Sequence, residues 1–97
     1  MYVILTSKLG QFHTDPVDGL VVEERYRYVF CGRETARFAI ARLEREVKVP
    51  VMEDTPPHVT NHVPSKFLER FDTLEAARRE LETLTRFGSL DARLERC

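Results

Sequence analysis

Cysteine is scarce in this chain. Cys31 and Cys97 are the only two in 97 residues, too few for the disulfide framework of a small secreted domain, so both are read as reduced thiols. No apolar run approaches the roughly 20 residues that span a bilayer. The opening segment Met1–Thr6 has no basic residue and no small-residue cleavage site, unlike a signal peptide. Together these absences give the expectation of a cytoplasmic protein without membrane association. Neither sign of charge dominates: 15 Lys and Arg stand against 16 Asp and Glu, a formal net charge of -1. That balance removes the basic field by which most nucleic-acid binders track phosphates, and no nucleic-acid partner is expected. The four glycines, Gly10, Gly19, Gly32 and Gly88, are scattered and form neither GxGxxG nor a P-loop. CxxC and HExxH are absent, as are internal repeats and low-complexity stretches. No catalytic residue, cofactor or metal is therefore expected, and an enzyme is the less favoured of the two readings.

What is present is ordinary globular material, 42% hydrophobic and 32% charged, in a chain that fits one domain over residues 1–97. Tyr2-Val3-Ile4-Leu5 is a continuous run of strand formers and reads as a buried strand. Pro16-Val17-Asp18-Gly19 reads as a turn. From Leu20 to Cys31, Val22, Tyr26, Tyr28 and Phe30 share one parity and Glu23, Arg25 and Arg27 the other, the period-2 signature of a long strand ending at Gly32. Over Arg33–Glu46, Ala36, Ala39, Ile40, Leu43 and Val47 follow an i, i+3, i+4, i+7 spacing that predicts a helix. Val47, Val49 and Val51 alternate as a strand, with Pro50 marking an edge or a bulge. Glu53–Pro64, with three prolines, reads as a loop of about a dozen residues, long enough to carry function. Lys66–Phe71 is open between a short strand and a helical turn. Asp72-Thr73-Leu74-Glu75 resembles a capping box ahead of a helix with Leu74, Ala77, Leu81 and Leu84 on one face and Gly88 closing it. Leu90, Ala92 and Leu94 alternate as a final strand.

This order predicts an α+β domain of the ferredoxin-like, split βαβ kind. It would be a two-layer sandwich with two helices on one face of a four- to five-stranded, mainly antiparallel sheet. The other face would be solvated, with Arg25 and Arg27 set against Asp91 and Glu95, or used in a homodimer. Fold alone assigns no function.

Three features carry candidate chemistry. On the predicted first helix, Phe38 falls about 200° from Ala36 at 100° per residue, on the outer face with Arg42 and Arg45. Aromatic and arginine residues are the types enriched at binding hot spots, so Phe38, Arg42 and Arg45 form the candidate protein-interaction surface. His58 and His62, four apart, form a candidate ligand or metal loop, with Glu53 and Asp54 able to add oxygen ligands; the flanking prolines argue against the helix that would bring both imidazoles to one ion. Cys31, just before the predicted helix and near Arg33 and Arg37, is a candidate reactive thiol. The leading expectation is a small accessory or regulatory protein that binds a larger enzyme or complex. The alternative is a small dimeric ferredoxin-like enzyme or ligand-binding protein with a pocket under the 53–64 loop, using His58, His62 or Tyr28.

Overall fold

The segment expected to form the first helix is a strand, and the rest of the architecture follows from that. A computed structural model describes residues 1–85 and 92–97. Its strands are β1 (Tyr2–Lys8), β2 (Phe12–Thr14), β3 (Leu20–Phe30), β4 (Arg33–Leu43), β5 (Lys48–Glu53), β6 (Thr60–Pro64) and β7 (Ala92–Arg96). They form one sheet in the order β6-β5-β2-β1-β4-β3-β7, with every pairing antiparallel. A 3-10 turn (Ser65–Phe67) follows β6, and α1 (Leu74–Thr85) is the one α-helix among the described residues. The domain is thus a seven-stranded antiparallel sheet carrying one helix, not a ferredoxin-like sandwich with two.

Residues 33–43 mimic a helix because β4 is buried on both faces. Ala39 and Ala41 point to one side and Ile40 to the other, and all three are buried. Two interleaved period-2 patterns leave a continuous apolar run, as in any central strand with both faces covered. The turn before it settles the matter: Cys31 and Gly32 both have positive φ, 51° and 74°, the two-residue hairpin geometry whose twist matches the flanking strands. β3 and β4, 11 residues each, then run back to back.

β3 is not a simple alternating strand either. Its register against β4 slips between Val22, opposite Ala41, and Glu24, opposite Ile40. Glu23 is the extra residue of a bulge, which reverses which parity faces which side. Leu20 and Val22 therefore join Val3, Leu5, Ala39, Ala41 and Val49 in one core cluster. Tyr26 joins Ile40, Ala77 and Leu81 in the other, beneath α1. Glu24 lands on the helix side as well, 4% exposed.

α1 buries Ala77 and Leu81 against the sheet, while Leu84 is half exposed. Its N-cap is Thr73, one residue later than the capping-box reading placed it: Thr73 Oγ1 accepts a hydrogen bond from the Ala76 N–H at 3.0 Å. The third helical residue is then alanine, which cannot complete a box. Gly88 and Leu90 lie outside the described residues.

Of the 53–64 segment only residues 54–59 form a loop, since Glu53 ends β5. Thr60–Pro64 pairs with β5, from Lys48 opposite Pro64 to Met52 opposite Thr60. Residues 66–71 resolve into the 3-10 turn and a single bridge between Phe71 and Tyr2. The strands expected at Tyr2–Leu5, Leu20–Cys31 and Val47–Val51 are present as Tyr2–Lys8, Leu20–Phe30 and Lys48–Glu53, and so is the turn into Leu20, whose N–H donates to Val17 O at 3.0 Å. Gly19 in that turn has φ 102°, and a Cβ there would sit 2.6 Å from Val47 Cγ1, so only glycine fits.

Pro50 shapes what comes next. Asp54 N–H donates to Gln11 O and Asp15 N–H to Pro50 O, so residues 11/54, 13/52 and 15/50 are the hydrogen-bonded pairs of the β2–β5 ladder. At the last of them proline has no N–H to return, and the ladder stops at Thr14 opposite Val51. Pro50 is tolerated in a strand with neighbours on both sides because it stands where one neighbour leaves.

Candidate functional site

Where β2 leaves, a groove opens. The β1–β2 ladder holds a single pair, Lys8 opposite Phe12. Beyond it the seam is bridged by side chains: Thr14 N–H donates to Ser7 Oγ at 2.9 Å, and Thr14 Oγ1 donates to Thr6 O at 2.6 Å. A groove of about 500 Å³ lies along this seam and over the adjoining sheet. Its floor is two rungs of the sheet. One runs Leu5–Ala39–Arg25, the other Ser7–Arg37–Arg27, with Glu95 of β7 continuing the second. Its far rim is β2 with Asp15 and Asp54.

The three floor arginines differ in how they are occupied. Arg27 donates through Nε to Glu95 Oε1 at 2.8 Å, with a second nitrogen at 2.6 Å. Arg37 makes a two-point contact with Glu34, at 3.0 and 3.1 Å. Arg37 holds the Glu34 carboxyl below its usual range, and Arg93 foremost, then Arg27, does the same for Glu95. Arg25, exposed on the neighbouring rung of the floor, has no side-chain partner among the described residues. The expected salt-bridged sheet face thus exists in part, as Arg27 with Glu95; Asp91 lies outside the described residues.

On the opposite rim His13 is held between two acids. Its Nδ1 lies 2.6 Å from Asp54 Oδ1 and its Nε2 3.5 Å from Asp15 Oδ2. The Asp54 hydrogen bond raises the imidazole pKa above 6.5, against partial desolvation, and the charges of Asp15 and Asp54 add to the rise. With a carboxylate at each nitrogen, the ring is built to carry a proton, not to take one from a nucleophile. Because the folded-state pKa is raised, the stabilisation from this clasp is full below pH 6.5 and lost as pH rises through the folded value. The thermal-midpoint gap between the wild type and His13→Gln is expected to be widest at acidic pH and to close above neutrality. A gap that widens with pH would contradict this assignment.

His13 carries no sequence signal, because its partner Asp54 is 41 residues away. Most of the residues singled out from sequence fall elsewhere. Phe38 lies on β4, packs into the cluster beneath α1 and also borders the groove. Arg42, also on β4, approaches Glu23 at 3.9 Å, and Arg45, past the strand end, pairs with Asp18 at 2.8 Å. The strand therefore does not assemble the outer surface a helix would have made of Phe38, Arg42 and Arg45. His58 sits exposed in the β5–β6 turn, with Nδ1 3.2 Å from Glu53 O, and His62 is exposed in mid-strand opposite Pro50. Neither lines the groove; Asp54 does. Tyr28 stands opposite Ala36 and Leu94. Cys31 is exposed at the hairpin turn, where the chain enters a strand and not a helix, and Cys97 is exposed at the groove margin. Among the described residues no group of three His, Cys, Asp or Glu side chains is placed to hold a metal ion, and no helix is long and apolar enough to cross a membrane. The chain matches no protein-family model, no curated protein and no solved structure.

Proposed function

We propose that this is a small accessory domain that binds a larger protein, and that its working surface is the groove. The reading rests on one observation: among the described residues, Arg25 is a guanidinium with no side-chain partner, on a concave floor whose other two arginines are already occupied. A guanidinium in such a place is matched by a carboxylate in two-point geometry. Asp15 and Asp54 repel a second acid at the far rim, so the preferred ligand is an extended segment with one carboxylate over Arg25. Uncharged residues of that segment would lie against Leu5, Leu9 and Phe12.

The test is a panel of synthetic octapeptides with one central glutamate among apolar residues, and glutamine counterparts, titrated by fluorescence anisotropy. Glutamate peptides are expected to bind with an affinity that falls as salt rises. Arg25→Gln should weaken them about 10-fold or more, as expected for a charge-assisted pair worth about 1.5–3 kcal/mol. Equal binding by wild type and Arg25→Gln, or no preference for glutamate over glutamine, would remove the groove from this role. The groove volume also falls within the range of small-molecule sites. Binding of free small carboxylates in preference to every peptide would favour a ligand-binding protein.

A further inference from the structure

The two ends of the sheet are protected very differently. β7, at one end, is Ala92-Arg93-Leu94-Glu95-Arg96, and three of its five residues are charged. β6, at the other, is Thr60-Asn61-His62-Val63-Pro64, with no Lys, Arg, Asp or Glu and no bulge in its ladder. Edge strands commonly carry charge, proline or a bulge because a bare edge invites another strand. Pro64 supplies only the last position.

The backbone of β6 can be assigned group by group. Ser65 N–H donates to Val47 O and Glu53 N–H to Val59 O, at 2.7 and 3.0 Å. Antiparallel bonding alternates, so residues 59, 61, 63 and 65 bond inward to β5. The N–H and C=O groups of Thr60 and His62 point outward, together with the Pro64 C=O. Val59, at the start of this edge, is 44% exposed.

We infer that β6 pairs antiparallel with β6 of a second copy of this chain, about a twofold axis at Asn61. In that register residue i faces residue 122 − i of the second copy. Thr60 and His62 of each copy exchange both hydrogen bonds with His62 and Thr60 of the other, and no outward N–H is left over. Val59 faces Val63 of the second copy, and Val63 its Val59, on either side of an Asn61 pair. The exposed valine gains an apolar cover, and Thr60–Pro64 places no formal charge against another. Moving the axis to His62 would set Asn61 against valine and Thr60 against proline. A twofold contact of this kind is self-complementary and closes at two copies.

Light scattering behind size exclusion, over a concentration series, is expected to show the mass rising from one chain towards two. His62→Pro removes an outward N–H and spares the β5 ladder, so it should raise the dissociation constant at least 10-fold with the circular dichroism unchanged. Val59→Lys, outside the ladder, should act in the same direction and serves if the proline variant misfolds. In a Cys31→Ser/Cys97→Ser background, Asn61→Cys should oxidise to a covalent dimer and Thr60→Cys should not, since only position 61 meets its own copy. A monomer at every concentration up to about 1 mM, or a dimer indifferent to both edge variants, overturns the proposal. Cross-linking at position 60 in place of 61 overturns the register.

Discussion

Arg78→Met is expected to lower the urea midpoint of the domain at neutral pH, and to lower it further than Glu24→Gln does. The asymmetry comes from exposure. The Glu24 side chain is 2% exposed, whereas Arg78 is 39% exposed and Arg96 60%. Glu24 Oε1 accepts from Arg78 Nε at 2.8 Å and from the Tyr26 hydroxyl at 2.7 Å. Its Oε2 takes the second Arg78 nitrogen and lies 3.0 Å from Arg96. Deleting Arg78 strands most of a buried negative charge, and methionine keeps the packing of the stem while removing the pairing. Deleting the Glu24 charge instead leaves two arginines that can rehydrate.

The same contacts, Arg78 foremost, then Tyr26 and Arg96, hold the Glu24 carboxyl at about 2 despite its burial. A depressed carboxyl stabilises the fold above the ordinary value of 4.5 and loses that contribution as pH falls towards 2. In Arg78→Met the loss should move to higher pH. A Glu24 titration by NMR that does not move would show that Arg78 is not what sets it.

Ile40→Ala is expected to cost about 3–4 kcal/mol, lowering the thermal midpoint by roughly 12–30 °C for a domain of this size. Ile40 is fully buried on the central strand β4, opposite Ile4 and Glu24 and packed with Ala77 and Leu81. Truncating it opens a void where sheet and helix meet, with strands on both sides that cannot close in. Ala77 and Leu81 are the fully buried residues through which α1 holds to the sheet, so near-ultraviolet signals should weaken before far-ultraviolet ones. A loss below about 1 kcal/mol would mean the helix repacks freely and is not seated as described.

Strands with one face on the core and one in water, or with strong β formers, were legible in the sequence: β1, β5, most of β3, and β7 over Ala92–Arg96. β4 was not, because burial on both faces erases alternation and its three alanines look equally at home in a helix. The bulge at Glu23 was invisible for a related reason. Parity read through it puts Val22 with Tyr26 and hides Glu24, the one buried carboxylate among the described residues. β6 was hidden among prolines that mark turns wherever they occur. The groove could not be found locally at all: its floor comes from β1, β3 and β4 and its rim from β2 and the end of β5, and their register exists only after pairing. Arg25 looked like one of many surface arginines; what distinguishes it is that its neighbours across the rung, Leu5 and Ala39, offer it no acid.

The Pro50 break has a consequence for how such a protein can diversify. β2 hangs between β1 and β5 by one ladder pair, a short run of backbone bonds and two threonine hydrogen bonds. Residues along it face the groove, while the buried cluster of Val3, Leu5, Ala39, Ala41 and Val49 is assembled from other strands. Changes at Phe12 can therefore retune what the mouth admits while leaving that buried cluster and the His13 clasp in place, so selection can act on recognition and on stability almost separately.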